Sequence, residues 1–307
     1  MKKSPIVSVI IPTFNRANLI VRAIDSVLNG QYANTELIIV DDGSTDNTAE
    51  IIKKKYFGQS IKYFFQQNKG PSTAKNLGIK QSKGKYVCFL DSDDYYDKKN
   101  INTKVEVLEN NQELGWVFSD CFNIVENDPS SRTHIVPRKL VERLSSSNYF
   151  FDLYLTIGGF IRTHTVLIRR ECFSLLQGFD EELPSYEDIL FFLKLSKSFK
   201  AKYIHEPLSF GVVQYSGNIS SSKARYYSTF SFIQKVKDNF PDDVIRLNWP
   251  PRMSRWIADT YNYFGMEHYK IQKNREAIID FIRSIKTYPF QRRVYYLLLK
   301  SLLKYAF

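Results

Sequence analysis

The sequence predicts an α/β protein with a mostly parallel, doubly wound sheet in its first half and a helical extension towards its C-terminal end. Apolar runs typical of buried strands alternate with helical patterns over residues 7–90, and polar loops follow the strands. Such repeated β-α units favour a parallel sheet with right-handed crossovers. From about residue 218 onward the pattern is helical, and it is interrupted by Pro241, Pro250, Pro251 and Pro289.

The predicted elements follow in order along the chain. Strands are expected at residues 7–11, 36–40, 61–65 and 85–90, with helices at 19–28, 45–56 and 72–80 between them. The middle of the chain is mixed, with strands at 116–120 and 165–168, a helix at 188–196, and two short closing strands at 202–204 and 208–213. Residues 127–131 are interpreted as a turn or mobile loop. Helices at 253–269, 276–287 and 292–305 are expected to form a small antiparallel bundle.

Composition limits the class of protein. Of the 307 residues, 43% are hydrophobic and 15% are aromatic, which supplies enough apolar material for a large core. The three cysteines show no metal or redox spacing, so reduced thiols in a cytoplasmic protein are expected. No apolar run approaches the roughly 20 residues that a helix needs to span a bilayer.

The net charge of +11 is unevenly distributed, because residues 241–307 carry 12 Lys and Arg against 6 Asp and Glu. Basic segments attract nucleic acid or anionic membrane surfaces, although solvated helix faces are their commoner role. No nucleic-acid-binding motif occurs, so no nucleic-acid partner is expected. The aromatic, Leu and basic residues of the last helices leave a membrane-interface role as an alternative to packing on the rest of the chain or on a second subunit.

Three carboxylates directly follow the predicted strand 85–90, in the stretch Asp91-Ser92-Asp93-Asp94. Ligands of open α/β sheets bind beyond the carboxyl ends of such strands. Clustered carboxylates repel one another unless a cation lies among them, and their oxygens suit Mg²⁺ or Mn²⁺, with a diphosphate completing the coordination. For a lone Asp-x-Asp, a turn that caps the next segment is the simpler interpretation. The other loops favour the metal site.

The loops after the first three predicted strands lie at the same edge of the sheet. In the first loop, Phe14 can flank a nucleotide base and Thr13 can donate a hydrogen bond to it. In the second, a helix cap does not need both Asp41 and Asp42, so one of them, with Asp42 preferred, is predicted to bind a uracil-like imide or a ribose hydroxyl. In the third, Lys75 lies near a helix start, where it can meet a diphosphate. No Gly-x-Gly-x-x-Gly or P-loop motif occurs, which argues against those nucleotide sites.

Four blocks of the sequence, in this order, resemble the family 2 glycosyltransferases of the GT-A fold. They are residues 7–16, 36–44, 76–78 with 84–87, and 91–94. The strong similarity covers residues 6–97, and a weaker one continues to about residue 220. The resemblance implies a Rossmann-like, mostly parallel central sheet in a catalytic domain at 1–220. Its nucleotide-binding half would be about 1–97 and its acceptor half about 98–220, followed by a helical region at 221–307.

The resemblance also implies an activity. An enzyme of the hexosyltransferase type would move a sugar from a nucleotide-diphosphate donor, a UDP-sugar before others, to an acceptor hydroxyl with inversion at the anomeric carbon. The acceptor would be a glycan or a lipid-linked glycan in cell-envelope polysaccharide biosynthesis. Peripheral contact with the inner face of the membrane, through the C-terminal helices, is a further hypothesis. A divalent cation, Mn²⁺ or Mg²⁺, is the implied cofactor.

Roles for individual residues follow from the same resemblance. Asp188 resembles the general base of inverting members, and the alternative is that acids are favoured in the first turn of a helix by its dipole. Asp93, with Asp91 nearby, is predicted to hold the metal ion, and Asp94 to orient the donor sugar or support the metal. The predicted nucleotide-binding residues are Pro12, Thr13, Phe14, Asn15, Arg16, Asp41, Asp42, Lys75, Asp91 and Ser92. The predicted donor and acceptor contacts are Asp94, Glu187 and His164, and for His164 a simple strand-entry loop is an equal alternative.

The sequence departs from the family pattern in two places. Many relatives carry a His in the closing segment, which here spans residues 213–218 and contains none. Lys75 stands where many members have Arg, so a single ammonium takes the place of a guanidinium that can donate two parallel hydrogen bonds. No Gln-x-x-Arg-Trp motif occurs, so addition of a single sugar is expected rather than processive synthesis. The rival interpretations are a sugar nucleotidyltransferase and a non-catalytic nucleotide-sugar-binding protein.

Overall fold

The computed structural model describes residues 5–126, 128–213, 223–247 and 251–306. The chain divides into two compact units, Met1–Gly217 and Asn218–Phe307. The first unit contains a sheet with helices packed on it, and the second is helical throughout its described residues.

The elements of the two units are as follows. The strands are β1 (Val7–Thr13), β2 (Thr35–Asp41), β3 (Ile61–Phe65), β4 (Tyr86–Phe89), β5 (Tyr95–Tyr96), β6 (Trp116–Val125), β7 (Asp128–His134), β8 (Val166–Arg169) and β9 (Ala201–Val213). The helices of the first unit are α1 (Ile20–Leu28), α2 (Thr48–Lys55), α3 (Pro71–Gln81), α4 (Asn100–Asn110), α5 (Arg138–Ser145), α6 (Phe151–Thr156), α7 (Glu171–Leu176) and α8 (Glu187–Ser198), with a 3₁₀ turn at Thr163–Thr165. The second unit contains α9 (Lys223–Asn239), α10 (Pro241–Arg246), α11 (Pro251–Lys270), α12 (Asn274–Thr287) and α13 (Arg292–Ala306).

The strands form one sheet in the order β3-β2-β1-β4-β8-β6-β9-β5, with β7 paired to β6. Parallel pairs join β1 to β2 and β4, β2 to β3, and β6 to β9. Because β8 runs antiparallel to both β4 and β6, β6 and β9 point the same way as the first four strands. Only β8, the short β5 and the hairpin strand β7 run in the opposite direction among the described strands. The predicted mostly parallel sheet is confirmed.

The central strands are apolar because helices cover both faces of the sheet. On one face, the buried Val9 of β1 belongs to the same core cluster as Ile24, which lies on the apolar stripe of α1. On the other face, α3 packs very closely on β1, because a Cβ atom added at Gly78 would lie 2.4 Å from Ile10 Cγ2. This close packing fixes the position of α3, and with it the side chain of Lys75.

The structure corrects the prediction for residues 127–131. Asp128–His134 form β7, an edge strand that makes a hairpin with β6, rather than a loop; Asn127 lies outside the described residues. The backbone N–H of Val125 donates to Ser131 Oγ over 2.8 Å, which closes the turn. The segment is polar and lacks the alternation of a half-buried strand, so its conformation depends on the backbone partners that β6 supplies.

Two further differences lie in the middle of the chain. The predicted short strands 202–204 and 208–213 are one continuous strand, β9, because β6 pairs with it along most of its length. Register shifts near Asp120 accommodate the part of β9 between the two predicted pieces. Helices α4, α5, α6 and α7 have no counterpart in the prediction, and the last two have only six residues each.

The second unit confirms the three predicted C-terminal helices, with boundaries that differ by one or two residues. Ala277 and Phe281 of α12 form a small core with Val294 and Leu297 of α13. None of the helices in the described part of the chain combines the length and the apolar character that a bilayer span requires. The three cysteines are free and buried, as expected.

Candidate active site

The polar residues predicted to bind the nucleotide follow strands whose carboxyl ends meet at one edge of the sheet. Thr13 at the end of β1 pairs in register with Asp41 at the end of β2. β4 pairs with β1 on the other side and is followed by Leu90 and Asp91. Because the three strands are parallel and adjacent, their loops lie side by side.

The loop after β1 is tied to the loop after β2 by Asn15. This residue adopts a left-handed backbone conformation with φ of 52°, which Asn tolerates better than most residues. Its side-chain Oδ1 accepts a hydrogen bond from the backbone N–H of Thr45 over 2.8 Å, and its own N–H donates to Ser44 Oγ over 2.9 Å. The next N–H, of Arg16, donates to Thr48 Oγ1 over 3.0 Å. Asn15 therefore shapes the edge of the candidate nucleotide site.

Two neighbouring residues at this edge have groups that remain available to a ligand. Thr13 Oγ1 is buried and has no hydrogen-bond partner among the described residues. Phe14, directly after it, is 41% exposed, although large apolar side chains are normally buried. A buried hydroxyl beside an exposed ring suits a flat heterocycle with polar edges. Pro12, the residue before them, is partly buried in β1.

Asp41 and Asp42 are both buried, and both carboxylates accept hydrogen bonds from other residues of the protein. Asp41 accepts hydrogen bonds from the N–H of Ser44 over 2.8 Å and from the hydroxyl of Tyr63 over 2.6 Å. Asp42 accepts from Gln66 Nε2 and from the N–H groups of residues 69 and 70, over 2.7, 2.8 and 2.9 Å. Asp42 thus holds the loop that leads into α3. Its predicted contact with a base or ribose stays a prediction.

The acidic stretch after β4 forms a tight turn in which the N–H of Asp94 donates to the carbonyl of Asp91 over 3.0 Å. Arg22 of α1 braces the turn by donating from Nη2 to the carbonyl of Asp93 over 2.6 Å. Ser92 is buried, whereas Asp91 and Asp93 are only partly buried as whole residues. No hydrogen bond to the Asp93 carboxylate is present within the described residues, so its oxygens remain available.

Asp94 points inward, away from the open side of the turn. It accepts a hydrogen bond from the N–H of Val212 over 2.8 Å, and its other oxygen lies 3.4 Å from Nε2 of His164. Burial raises the pKa of Asp94 well above its usual range. Burial also lowers the pKa of His164 to about 3, so the imidazole is neutral, and its Nδ1 lies 2.9 Å from Ser209 Oγ. The two predicted donor and acceptor contacts together anchor β9 to the acidic turn.

Lys75 and Glu187 form a buried ion pair across the site, with Nζ 3.0 Å from Oε1. They lie on α3 and α8 and are far apart in the sequence. Burial lowers the pKa of the Lys75 ammonium, but the carboxylates around it, Glu187 first, outweigh this effect and the pKa is raised. Asp91 and Asp188 also contribute to that rise, so their charges act on the same ammonium.

Burial and like charge act together on the carboxylates of this cluster. Burial raises the pKa of Asp91 to about 6, and the carboxylates of Asp93 and Asp188 add to the rise. Burial also raises the pKa of Asp188, and Glu187 adds to it, against the opposing charge of Lys75. Such raised pKa values are typical of functional sites, although buried ion-pair networks produce them too.

The start of α8 is held in an unusual conformation. Tyr186, which precedes Glu187, has a φ of 70°, a left-handed conformation that is costly for a bulky residue. Asp188 Oδ1 accepts a hydrogen bond from the N–H of Ile189 over 2.7 Å. Strain of this kind persists only where the surrounding structure over-determines the backbone, and it is frequent at active sites.

A second contact fixes the segment that leads towards α8. Asn76 of α3 accepts a hydrogen bond at Oδ1 from the N–H of Phe179 over 2.8 Å and donates from Nδ2 to the carbonyl of the same residue over 2.9 Å. The Lys75 ammonium lies 5.0 Å from the centre of the Phe179 ring. Residues on α3 therefore contact the segment before α8 directly.

The acidic turn fits a divalent cation as part of a larger coordination shell. In the described ranges, no group of three or more His, Cys, Asp and Glu side chains is arranged to hold a metal ion alone. Asp93 and Asp91 present carboxylate oxygens, which are the ligands that Mg²⁺ and Mn²⁺ prefer, and their mutual repulsion favours a cation between them. The remaining ligands would come from water or from a bound diphosphate. Residues 214–218, where the missing His was noted, lie outside the described residues.

Sequence reasoning missed two basic residues near the acids. The exposed Arg162 lies close enough for its charge to lower the pKa of Asp94 and of Asp188. Arg22 braces the acidic turn, as described above. Neither belongs to a recognisable motif, and only the tertiary contacts reveal them.

Two relatives show how far the similarity to known proteins extends. An "uncharacterized glycosyltransferase" of Rickettsia bellii (strain RML369-C) is 46% identical over 113 residues, which is 37% of this chain and 16% of that protein. The match therefore covers only a small part of that much longer relative. The amylovoran biosynthesis glycosyltransferase AmsB of Erwinia amylovora is 30% identical over 288 residues, which covers 90% of this chain and 89% of AmsB.

Solved structures share the fold. TarS of S. aureus, in complex with UDP-GlcNAc, matches 92% of this chain and 89% of its own with a TM-score of 0.61 and 17% identity. The mannosyltransferase PcManGT of Pyrobaculum calidifontis, in complex with GDP-Man and Mn²⁺, matches 98% of this chain and 88% of its own with a TM-score of 0.61 and 16% identity. These structures confirm the expected GT-A fold. The family model for glycosyl transferase family 2 matches residues 8–174. With more than half of its length matched, the chain belongs to glycosyl transferase family 2.

Proposed function

We propose that the chain transfers a sugar from a nucleotide-diphosphate sugar to an acceptor hydroxyl with inversion at the anomeric carbon. The observation that carries the proposal is the convergence of Lys75, Asp91, Glu187 and Asp188 from three separate elements at the carboxyl edge of the sheet. The donor bound by each of the two solved structures, UDP-GlcNAc and GDP-Man, supports a nucleotide sugar. We also propose a nucleotide-binding half at about 1–97, an acceptor half at about 98–220 and a helical region at 221–307.

In this proposal the nucleotide occupies the edge formed by the first two loops. The base lies against the exposed ring of Phe14, and Thr13 Oγ1 gains the partner that it lacks within the protein. Asn15, Asp41 and Asp42 hold the surrounding loops in place through their internal hydrogen bonds. Pro12, Arg16 and Ser92 complete the predicted nucleotide-binding set.

Asp188 acts as the general base. An acceptor hydroxyl is a poor nucleophile until its proton is removed as attack proceeds, and a positioned base typically contributes 10²–10⁴-fold. Burial and the adjacent Glu187 raise the pKa of Asp188, which makes its carboxylate more basic. Glu187 and Lys75 neutralise each other and hold the start of α8 at the site. Direct displacement requires no covalent enzyme intermediate.

Asp93 and Asp91 would hold a divalent cation, Mn²⁺ or Mg²⁺. When bound, the cation stabilises the negative charge that develops on the departing diphosphate. Asp94 supports the turn from behind through His164 and β9, so its role in donor binding is indirect. The Mn²⁺ bound with GDP-Man in PcManGT supports this cofactor.

The proposal is tested by product analysis. The full chain is incubated with Mn²⁺, a panel of UDP- and GDP-sugars, and a panel of glycan and lipid-linked acceptors. Release of nucleoside diphosphate together with a glycosylated acceptor is expected, and nuclear magnetic resonance of the product should show an inverted anomeric carbon. Pyrophosphate release would instead indicate a sugar nucleotidyltransferase, and donor binding without turnover would indicate a non-catalytic binding protein.

A matched pair of variants tests the general base. Asp188→Asn should lower kcat by about 10²–10⁴-fold with little change in donor affinity. Asp128→Asn, which makes the same change in the exposed hairpin, should leave kcat unchanged. Undiminished turnover by Asp188→Asn would eliminate this residue as the base.

A further inference from the structure

The last helix of the second unit, α13, has two apolar faces, and only one of them is covered. Val294, Leu297 and Ser301 are buried and follow the spacing of a helix stripe. Val294 and Leu297 share a core with Phe281 of α12. A surface helix normally has a polar side opposite such a stripe.

The opposite side of α13 is apolar as well. Its exposed side chains are Tyr295, Tyr296, Leu299, Leu302 and Leu303, with exposed fractions of 45 to 57%. At 3.6 residues per turn, these five side chains occupy an arc of about 120°, and the exposed Arg292 lies within the same arc. Phe290, in the connection before α13, is 87% exposed. We call this surface the outer face of α13.

The charges around the outer face all have one sign. Residues 281–307 contain six Lys and Arg and no Asp or Glu. Arg293, Lys300 and Lys304 are exposed and lie along one edge of the outer face, because offsets of seven and four residues are close to whole helical turns. Lys300 Nζ lies 4.8 Å from the centre of the Tyr296 ring, so the basic and aromatic side chains already contact each other. A partner for this surface must be apolar and negatively charged.

We propose that the outer face of α13 binds the surface of an anionic phospholipid bilayer, with the helix lying in the plane of the interface. The Leu and Tyr side chains would enter the boundary between headgroups and acyl chains, while the Lys and Arg side chains reach the lipid phosphates. A second copy of the chain is disfavoured as the partner, because residues 281–307 of that copy would offer no acidic side chain to the basic edge. The inference does not depend on the transfer reaction.

The test uses flotation of the full chain with vesicles of phosphatidylcholine, either alone or mixed with phosphatidylglycerol. The protein should float with the anionic vesicles only, and less so at high salt. Arg293→Glu with Lys300→Glu should lower partitioning by at least about tenfold, because each basic residue near an anionic surface contributes several-fold. Leu299→Gln with Leu303→Gln should lower it to a similar extent by removing the apolar contacts.

Two matched controls make the same kinds of substitution away from α13. Lys53→Glu with Lys54→Glu makes the same charge change on exposed residues of α2, and Phe57→Gln with Leu175→Gln removes two exposed apolar side chains of the first unit. Both should float like the wild type, and all variants should keep its melting temperature. Equal flotation with neutral vesicles, or flotation unaffected by the changes in α13, would overturn the proposal. So would a wild-type dimer in sedimentation that the Leu299 and Leu303 changes convert to a monomer without any effect on flotation.

Discussion

The pKa values of Asp188 and of its neighbour Lys75 each result from influences that act in opposite directions. Burial and Glu187 raise the pKa of Asp188, while the Lys75 ammonium limits the rise. The same ammonium keeps its proton because three carboxylates surround it. The protonation state of each residue is therefore set by its neighbours and is sensitive to their replacement.

The first prediction concerns the pH dependence of transfer. The proposed base, Asp188, is active only when it is unprotonated, so kcat/KM should fall as the pH decreases through the pKa of Asp188, which is raised above its ordinary value of 3.8. Glu187→Gln removes a negative charge that raises the pKa of Asp188, and it leaves the Lys75 ammonium without its ion-pair partner. Both changes lower the pKa of Asp188, so the acid limb of the profile should move to lower pH. Glu171→Gln, an exposed control on α7, should leave the limb in place. An unmoved limb in Glu187→Gln would show that another group controls it.

The second prediction concerns the buried ion pair. Lys75→Met leaves Glu187 buried without its partner, which should lower the free energy of unfolding by about 3–5 kcal/mol in urea titrations. Adding Glu187→Met should restore most of that loss, because it removes the carboxylate that lay 3.0 Å from the missing ammonium. Lys55→Met, which removes one partner of the exposed pair with Asp25, should cost less than about 1 kcal/mol. If Lys75→Met and the double variant lost the same free energy of unfolding, the two residues would not be energetically coupled.

At the level of elements, α3 carries residues that contact distant parts of the first unit. Its first turns present Lys75 to the acids and Asn76 to the segment before α8. Its later part lies against β1 through Gly78, which leaves no space for a Cβ atom. The helix thus links the central strand to the segment before α8, and its distance from β1 sets the position of Lys75.

The third prediction tests this packing. Gly78→Ala places a Cβ atom 2.4 Å from Ile10 Cγ2, so it should lower the free energy of unfolding by about 1–3 kcal/mol despite the better helix propensity of Ala. In an Ile10→Ala background the contact is absent, and the same change should be neutral or stabilising. Urea titrations of the four proteins measure this difference. A similar cost in both backgrounds would mean that the close contact is not responsible.

For the whole molecule, the proposed site draws on residues from the ends of three strands and the starts of two helices, all within the first unit. In the free protein, the Thr13 hydroxyl lacks a hydrogen-bond partner among the described residues and the carboxylates of the acidic turn repel one another. Both features destabilise the folded state, and a bound ligand can relieve them. Ligand binding is therefore linked to the stability of the folded state.

The fourth prediction uses that linkage. UDP and Mn²⁺ together, each near 100 times its dissociation constant, should raise stability by about 2.7 kcal/mol or more and increase the melting temperature by several degrees. Either ligand alone should have a smaller effect, because each completes the binding site of the other. Asp93→Asn should abolish the additional effect of Mn²⁺ and retain part of that of UDP. If the increases in melting temperature caused by UDP and by Mn²⁺ were simply additive in the wild type, and unchanged in Asp93→Asn, the two ligands would not share one site.

Some parts of the site were predictable because they depend on local sequence and sheet order. The acids after β4 follow a buried strand, and the ends of parallel strands must share an edge, so Asp91 and Asp93 could be assigned to one site with the loop of Phe14. Other parts were not predictable. Asp42 is bonded to the loop before α3, and Asp94 to His164 and β9, through contacts that no spacing in the sequence indicates.

The long helices and the buried strands of this chain follow from periodicity, because burial of one helix face or of a whole strand imposes a pattern on consecutive residues. The hairpin strand β7, the continuous β9 and the bracing by Arg22 carry no such pattern. They depend on partners distant in sequence, whose hydrogen bonds and charges exist only after folding. The family and the acidic motif can therefore be read from consecutive residues, whereas the ion pair between Lys75 and Glu187, and the pKa values around it, exist only because folding brings the start of α8 to Lys75 of α3.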